Sequence, residues 1–203
     1  MLAPYKQMRY TGFIFFISEV PMRLFYGLSL PASVRAEAAL CARRAEALMP
    51  GRYGDASNYH ITLAFLGEVA PERLGDVQAI LAARAAQMPA PTITPERVDY
   101  FGRADNAILI LRARCEPSLD ALHGALVADL QACGLPADVG PFAPHITLAR
   151  HVQTAPEALS AIAPRPLAFV PKAAHVFLSA RDEVGILRYT PLFDADFHPF
   201  VSL

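Results

Sequence analysis

The sequence predicts an α+β protein of two duplicated lobes that pack as one unit, with mainly antiparallel sheets. Three observations carry this reading. The tetrapeptide His-Ile-Thr-Leu occurs twice, at His60-Ile61-Thr62-Leu63 and at His145-Ile146-Thr147-Leu148. Each copy lies in a short apolar, strand-like run that follows an Ala- or Leu-rich helical stretch. The spacing of the two copies suits a duplicated lobe better than a solenoid period, and no linker or low-complexity segment separates them.

The elements follow in order. Within residues 1–21, Gly12 to Ile17 is apolar and preceded by Lys6 and Arg9. The run is too short to span a membrane and no A-x-A cleavage site follows it. It reads as an extension or extra strand ahead of a domain over residues 22–203. Leu24–Leu28 is a strand, and Pro31 opens a helix over Ala32–Leu48 that Pro50-Gly51 ends. The first His-x-Thr strand spans Asn58–Leu66, closed by Gly67. Pro71 opens a second helix with an apolar stripe of Leu74, Val77, Leu81, Ala85 and Met88. Strands at Thr92–Phe101 and Ala107–Arg112 flank a hairpin turn. Pro117 and Ser118 then start a helix whose stripe is Leu119, Leu122, Leu126, Leu130 and Cys133, stopped by Gly134. The second His-x-Thr strand spans Pro144–His151. A short helix near Pro156–Ile162 and strands at Ala173–Ser179 and Gly185–Leu192 complete the chain.

Composition narrows the function. A net charge of −1 gives no broad basic surface for a long duplex, while a ligand with one or two phosphates stays compatible. Cys41, Cys115 and Cys133 are odd in number without CxxC spacing, which points to reduced thiols and a cytoplasmic location. In a strand, His60 and Thr62 share one face and Ile61 and Leu63 the other, and likewise in the second copy. Each motif offers one His and one Thr with no carboxylate within two residues of the His. That donor set does not assemble a zinc site, so no metal or cofactor is expected. No G-x-S-x-G elbow, Walker loop or G-x-G-x-x-G loop is present. What remains is a pair of histidines acting as general acid and base, suited to in-line displacement at phosphorus. His123, His175, His198 and His151 read as bystanders, and Arg103, Arg112 and Arg114 as solvated charges.

The chain resembles the two-histidine phosphoesterase superfamily and, within it, the RNA 2′,3′-cyclic phosphodiesterases formerly described as 2′-5′ RNA ligases. The resemblance rests on Arg23–Pro31, His60–Val69, Phe142–Arg150 and Tyr189–Leu192, in family order. It implies a bilobal fold with pseudo-twofold symmetry, antiparallel sheets lining a central cleft and helices outside. It implies metal-independent opening of a ribose 2′,3′-cyclic phosphate to a 2′-phosphate, on an RNA 3′ end or a small cyclic nucleotide. By the same resemblance His60 protonates the departing 3′-oxygen, His145 activates water, and Thr62, Thr147 and Arg150 hold the phosphate. Phe65, at the offset of Arg150, matches a base-stacking position. In a flat strand a residue five after His faces away from it, so Phe65 and Arg150 need a bulge or a strand end to reach the cleft. Another small cyclic phosphate as substrate, 2′-5′ RNA ligation, or plain RNA-end binding are the competing functions. No membrane association or protein partner is implied, and the expected unit is a monomer.

Overall fold

The computed structural model describes residues 5–10, 13–18 and 20–198, with side chains from Val20 onward. The strands are β1 (Tyr5–Tyr10), β2 (Phe13–Ser18), β3 (Met22–Ser29), β4 (Arg52–Tyr53), β5 (His60–Val69), β6 (Pro95–Arg103), β7 (Asn106–Ala113), β8 (His145–Val152), β9 (Ala173–Arg181) and β10 (Leu187–Asp196). The helices are α1 (Ala32–Glu46), α2 (Leu74–Gln87), α3 (Pro117–Ala132) and α4 (Pro156–Leu159). The expected extension over residues 1–21 lies partly outside the described residues; within it, β1 and β2 pair antiparallel as a separate two-stranded sheet.

Two four-stranded antiparallel sheets form the body, ordered β10-β9-β3-β5 and β4-β8-β7-β6. The lobes are not consecutive halves of the chain. β9 and β10 return from the far end to complete the first sheet, while the two-residue β4, which no periodicity in the sequence announces, joins the second. The helices cross over reciprocally: α1 packs against β8, and α3 packs against β5. One hydrophobic cluster therefore runs through both lobes, from Leu24, Tyr26 and Leu28 of β3 to Ile146 and Leu148 of β8. The helical stripes bury as their periodicity predicts, at Val77, Leu81 and Ala85 and at Leu119, Leu122, Leu126 and Leu130. Cys133 departs from its stripe and is exposed, because α3 ends at Ala132.

The first sheet's other face carries Phe25 and Gly27. A Cβ at Gly27 would meet the Ile61 carbonyl at 3.0 Å and the Phe177 ring at 3.2 Å, so a bare backbone lets three strands close under an aromatic layer.

Both motif strands bulge at one offset. Against β3, Thr62 pairs with Gly27 and Ala64 with Tyr26, leaving Leu63 unopposed. Against β7, Thr147 pairs with Ile110 and Ala149 with Leu109, leaving Leu148 unopposed. The extra residue reverses side-chain parity. Leu63 and Ala64 both turn to the core, and Phe65 emerges on the face of His60 and Thr62; Leu148, Ala149 and Arg150 repeat the pattern. Each bulged carbonyl is satisfied from outside the ladder, Leu63 O by the His123 ring and Leu148 O by the Gly54 N–H at 3.0 Å. Gly67 does not close the first strand as expected: it sits inside β5 with φ of 66°, a left-handed residue the ladder accommodates.

Candidate active site

The bulges bring His60, Thr62 and Phe65 of β5 to a junction with β8, where the two strands lie side by side. A single concavity is lined by Thr62 and Phe65 from one repeat and by Ala143 and His145 from the other.

The histidines are held alike. His60 Nδ1 lies 2.7 Å from the Asn58 carbonyl, and His145 Nδ1 lies 2.7 Å from the Ala143 carbonyl. A carbonyl only accepts, so Nδ1 carries the hydrogen in both rings and Nε2 is the nitrogen left for chemistry. The Thr62 hydroxyl is 3.0 Å from His60 Nε2 and donates to it when the ring is neutral.

Their surroundings differ. His60 stands on aromatic ground: Phe25 at 4.7 Å between centroids, the Tyr189 edge at 4.8 Å, and Phe177, itself stacked on Phe25 at 5.0 Å. Phe65 adds its ring 5.9 Å from Phe25 and is 47% exposed, free to receive a flat ligand group. His145 stands among charges. Arg112 is its partner across β7, lies over the Phe101 ring that meets His145 edge-on at 5.0 Å, and donates from Nε to Asp99 at 2.8 Å.

Burial pushes His60 down to about 4, helped by the nearby charges of His145 and Arg150 and opposed by its bond to the Asn58 carbonyl. His145 is lowered too, by burial first and then by Arg112 and Arg150. Arg150 thus bears on both rings. It is exposed and has no carboxylate or hydrogen-bond partner among the described residues, so its five donors remain available. Thr147 lies on β8 at the half-buried position matching Thr62.

Of the sequence-predicted set, Thr62, Phe65 and His145 line the concavity, and His60, His145 and Arg150 lie within electrostatic reach of one another, whereas His60, Thr147 and Arg150 are not among the residues lining it. One expectation is corrected, since Arg112 is not a solvated charge but a half-buried, paired guanidinium beside His145. Phe25, Phe101, Phe177 and Tyr189 were not legible as site residues; the alternation Asp99, Phe101 along β6 is the signal that points to one face. Among the bystanders, His123 serves the bulge and stacks on Phe142 at 4.1 Å, His175 pairs with Asp194, and His151 pairs with the Asn106 side chain. Among the described residues no group of three or more His, Cys, Asp and Glu is arranged to hold a metal, and no helix is long and apolar enough to cross a membrane.

Comparison with known proteins matches this geometry to a family. The 2′-5′ RNA ligase superfamily model aligns with residues 31–183. The RNA 2′,3′-cyclic phosphodiesterase of Escherichia coli K12 is 36% identical over 138 residues, 66% of this chain and 75% of that protein. The Geobacillus stearothermophilus protein of the same name is 34% identical over 122 residues, 59% of this chain but 37% of that longer protein. The crystal structure of E. coli LigT with 3′-AMP superposes with a TM-score of 0.66 at 29% identity, covering 88% of this chain and 98% of that one. The family model covers both motifs and the helices between them, and the chain belongs to the 2′-5′ RNA ligase superfamily.

Proposed function

We propose that this cleft hydrolyses terminal ribose 2′,3′-cyclic phosphates, on an RNA 3′ end or a nucleotide, to 2′-phosphates. One observation carries the reading: two imidazoles, each locked by an Nδ1–H bond to the carbonyl two residues before it and so keeping Nε2 for chemistry, lie within electrostatic reach of the same unpartnered guanidinium, Arg150. Relatives named RNA 2′,3′-cyclic phosphodiesterase and the LigT complex with 3′-AMP support a cyclic phosphodiesterase with a nucleotide or RNA-end substrate.

Water is deprotonated by His145 Nε2 and attacks phosphorus opposite the 3′-oxygen. The new P–O bond forms as the P–O3′ bond breaks, and His60 Nε2 delivers its proton to the departing oxygen. The phosphate is left on the 2′-oxygen, and the two rings exchange protons with solvent to reset. Thr62 and Thr147 donate hydroxyl hydrogen bonds to the phosphate, and Arg150 stabilises the charge gathering on its oxygens. Phe65 receives the base. One chain supplies both histidines, so the working unit is a monomer. Three free thiols, Cys41, Cys115 and Cys133, suit the cytoplasm.

The test is incubation with 2′,3′-cyclic AMP and with a cyclic-phosphate-ended oligonucleotide, in EDTA, with the product isomer identified. A 2′-phosphate from either substrate is expected. Binding without turnover, or a 3′-phosphate product, refutes the reading.

A further inference from the structure

The two motifs are alike up to the residue that supplies the carbonyl behind each histidine. Two positions before the ring, the first repeat has Asn58 and the second has Ala143. Ala143 offers only its backbone. Asn58 has a side-chain amide, and that amide is engaged at both its nitrogen and its oxygen. Its Nδ2 donates to the Leu187 carbonyl at 2.8 Å, and its Oδ1 accepts from the Tyr189 N–H at 3.2 Å. Both partners are backbone groups of fixed polarity, so the amide has one orientation that satisfies them.

These bonds close a ring of contacts around His60. The Asn58 amide grips the β10 backbone on either side of Arg188, setting where Tyr189 starts. The Tyr189 ring then meets the His60 ring edge-on at 4.8 Å and an interplanar angle of 82°. His60 returns through Nδ1 to the Asn58 carbonyl at 2.7 Å. The segment around Asn58 is tied further, since Arg188 Nη1 donates to Asp55 at 2.9 Å while Asp55 accepts from the Ser57 N–H at 2.9 Å. This segment is the crossing from β4 in one sheet to β5 in the other. Without the amide, the residue whose carbonyl holds His60 would lose its own ties to β10, leaving the segment anchored there through Asp55.

We propose that Asn58 is a positioning residue that fixes the tautomer and orientation of His60, a device the second repeat lacks. This rests on the functional reading of His60 given above. It adds an asymmetry that the motif does not contain: the residue whose carbonyl accepts from His60 is itself tied by its side chain to the strand carrying Tyr189, while Ala143 behind His145 has no side-chain bond to offer. Two charges bear on His60, His145 and Arg150, and neither is touched by a change at Asn58.

The experiment is NMR of the imidazole nitrogens in wild type and Asn58→Ala, read with steady-state kinetics on 2′,3′-cyclic AMP. In wild type His60 is expected as the pure Nδ1–H tautomer, titrating well below 6.5. In Asn58→Ala the Nε2–H form appears and His60 titrates closer to 6.5 as water reaches it, while His145 is unchanged. The kcat falls on the order of ten- to a hundredfold with KM within about threefold, because misplacing a proton donor costs rate rather than affinity. Asn58→Ser keeps one of the two bonds without adding charge and is expected between them. A wild-type His60 tautomer and titration in Asn58→Ala, or in Asn58→Ser if the alanine variant does not fold, overturns the proposal. The resonances need no substrate, so wild type that fails to turn over a cyclic phosphate sinks the functional reading and leaves this result to stand or fall alone.

Discussion

In the proposed reaction His60 is the acid, yet a group with a pKa of about 4 is nearly always deprotonated at neutral pH, so the reading requires that His60 gain its proton as substrate binds. At pH 7 such a group is protonated about once in a thousand. A phosphate charge roughly 4 Å from the ring, at an effective dielectric of about 20, contributes about 4 kcal/mol to the cationic form. At 1.36 kcal/mol per unit that is about three pKa units, which returns His60 to about 7. On these figures burial and the anion nearly cancel, so His60 is expected neutral in the free protein and charged once an anion binds. Inorganic sulfate is the cleanest probe because its own charge is constant over the relevant pH range. NMR titration of the His60 ring from pH 3 to 8 is expected to give about 4 in the free protein and about 7 or higher with saturating sulfate, which carries two charges where the phosphodiester carries one. By linkage, sulfate binds more tightly as pH falls through this interval and takes up close to one proton near pH 6. A kcat/KM profile for 2′,3′-cyclic AMP should peak below pH 6.5, with kcat sustained to higher pH, since the two report free and bound enzyme. A free His60 that titrates near 6.5 would refute the burial argument. A value that stays near 4 with sulfate bound would refute the role of the anion.

Three further outcomes follow from the same geometry. His60→Ala and His145→Ala should each lower the rate about 10² to 10⁴ fold while staying folded; a 3′-thio cyclic phosphate, whose sulfur leaves without a proton, should restore His60→Ala and not His145→Ala. Arg150→Ala should lose about 10² to 10³ in kcat/KM and Arg150→Lys should remain clearly impaired, because the charge survives but the two-pronged donor does not; wild-type kinetics in Arg150→Ala would place the residue outside the reaction. The folded pKa of His60 lies below its unfolded value near 6.5, so stability is full above that pH and is lost as pH falls toward 4, by at most about 3 kcal/mol; denaturant melts of His60→Asn should lack this part of the slope.

The elements and the site were legible to different depths, for physical reasons. Helices α2 and α3 were readable because their buried faces repeat at the helical period, and the motif strands because His60 and Thr62 alternate with Ile61 and Leu63. Phe65 and Arg150 looked misplaced because period-two parity forbids them, and only pairing with β3 and β7 reveals the bulge that corrects it. The exchange of β9, β10 and β4 between lobes was invisible, since which strands pair over long range leaves no local trace. Arg112 was misread for the same reason: nothing within its own stretch of sequence says that Asp99 and His145 will be its neighbours.

Those long-range neighbours are what separate the two copies. The tetrapeptides are identical, and so are their bulges and the Nδ1 bonds behind their rings. A symmetric pair of imidazoles in equal surroundings would compete for one proton with no preference for which side gives and which side takes. Here the first ring is enclosed by Phe25, Phe177 and Tyr189, and the second faces Arg112, Asp99 and Phe101. An aromatic enclosure lowers a histidine by denying it water, and an arriving anion can reverse that. Burial is the first cause at His145 too, but the charge of Arg112 is added to it there, and Arg112 remains beside that ring when an anion arrives. On the proposed reading the enclosed ring should gain more from a bound anion than the ring beside Arg112, which favours His60 protonated and His145 neutral. Duplication can thus supply two equivalent groups, and the division of labour between acid and base falls to residues contributed by other strands.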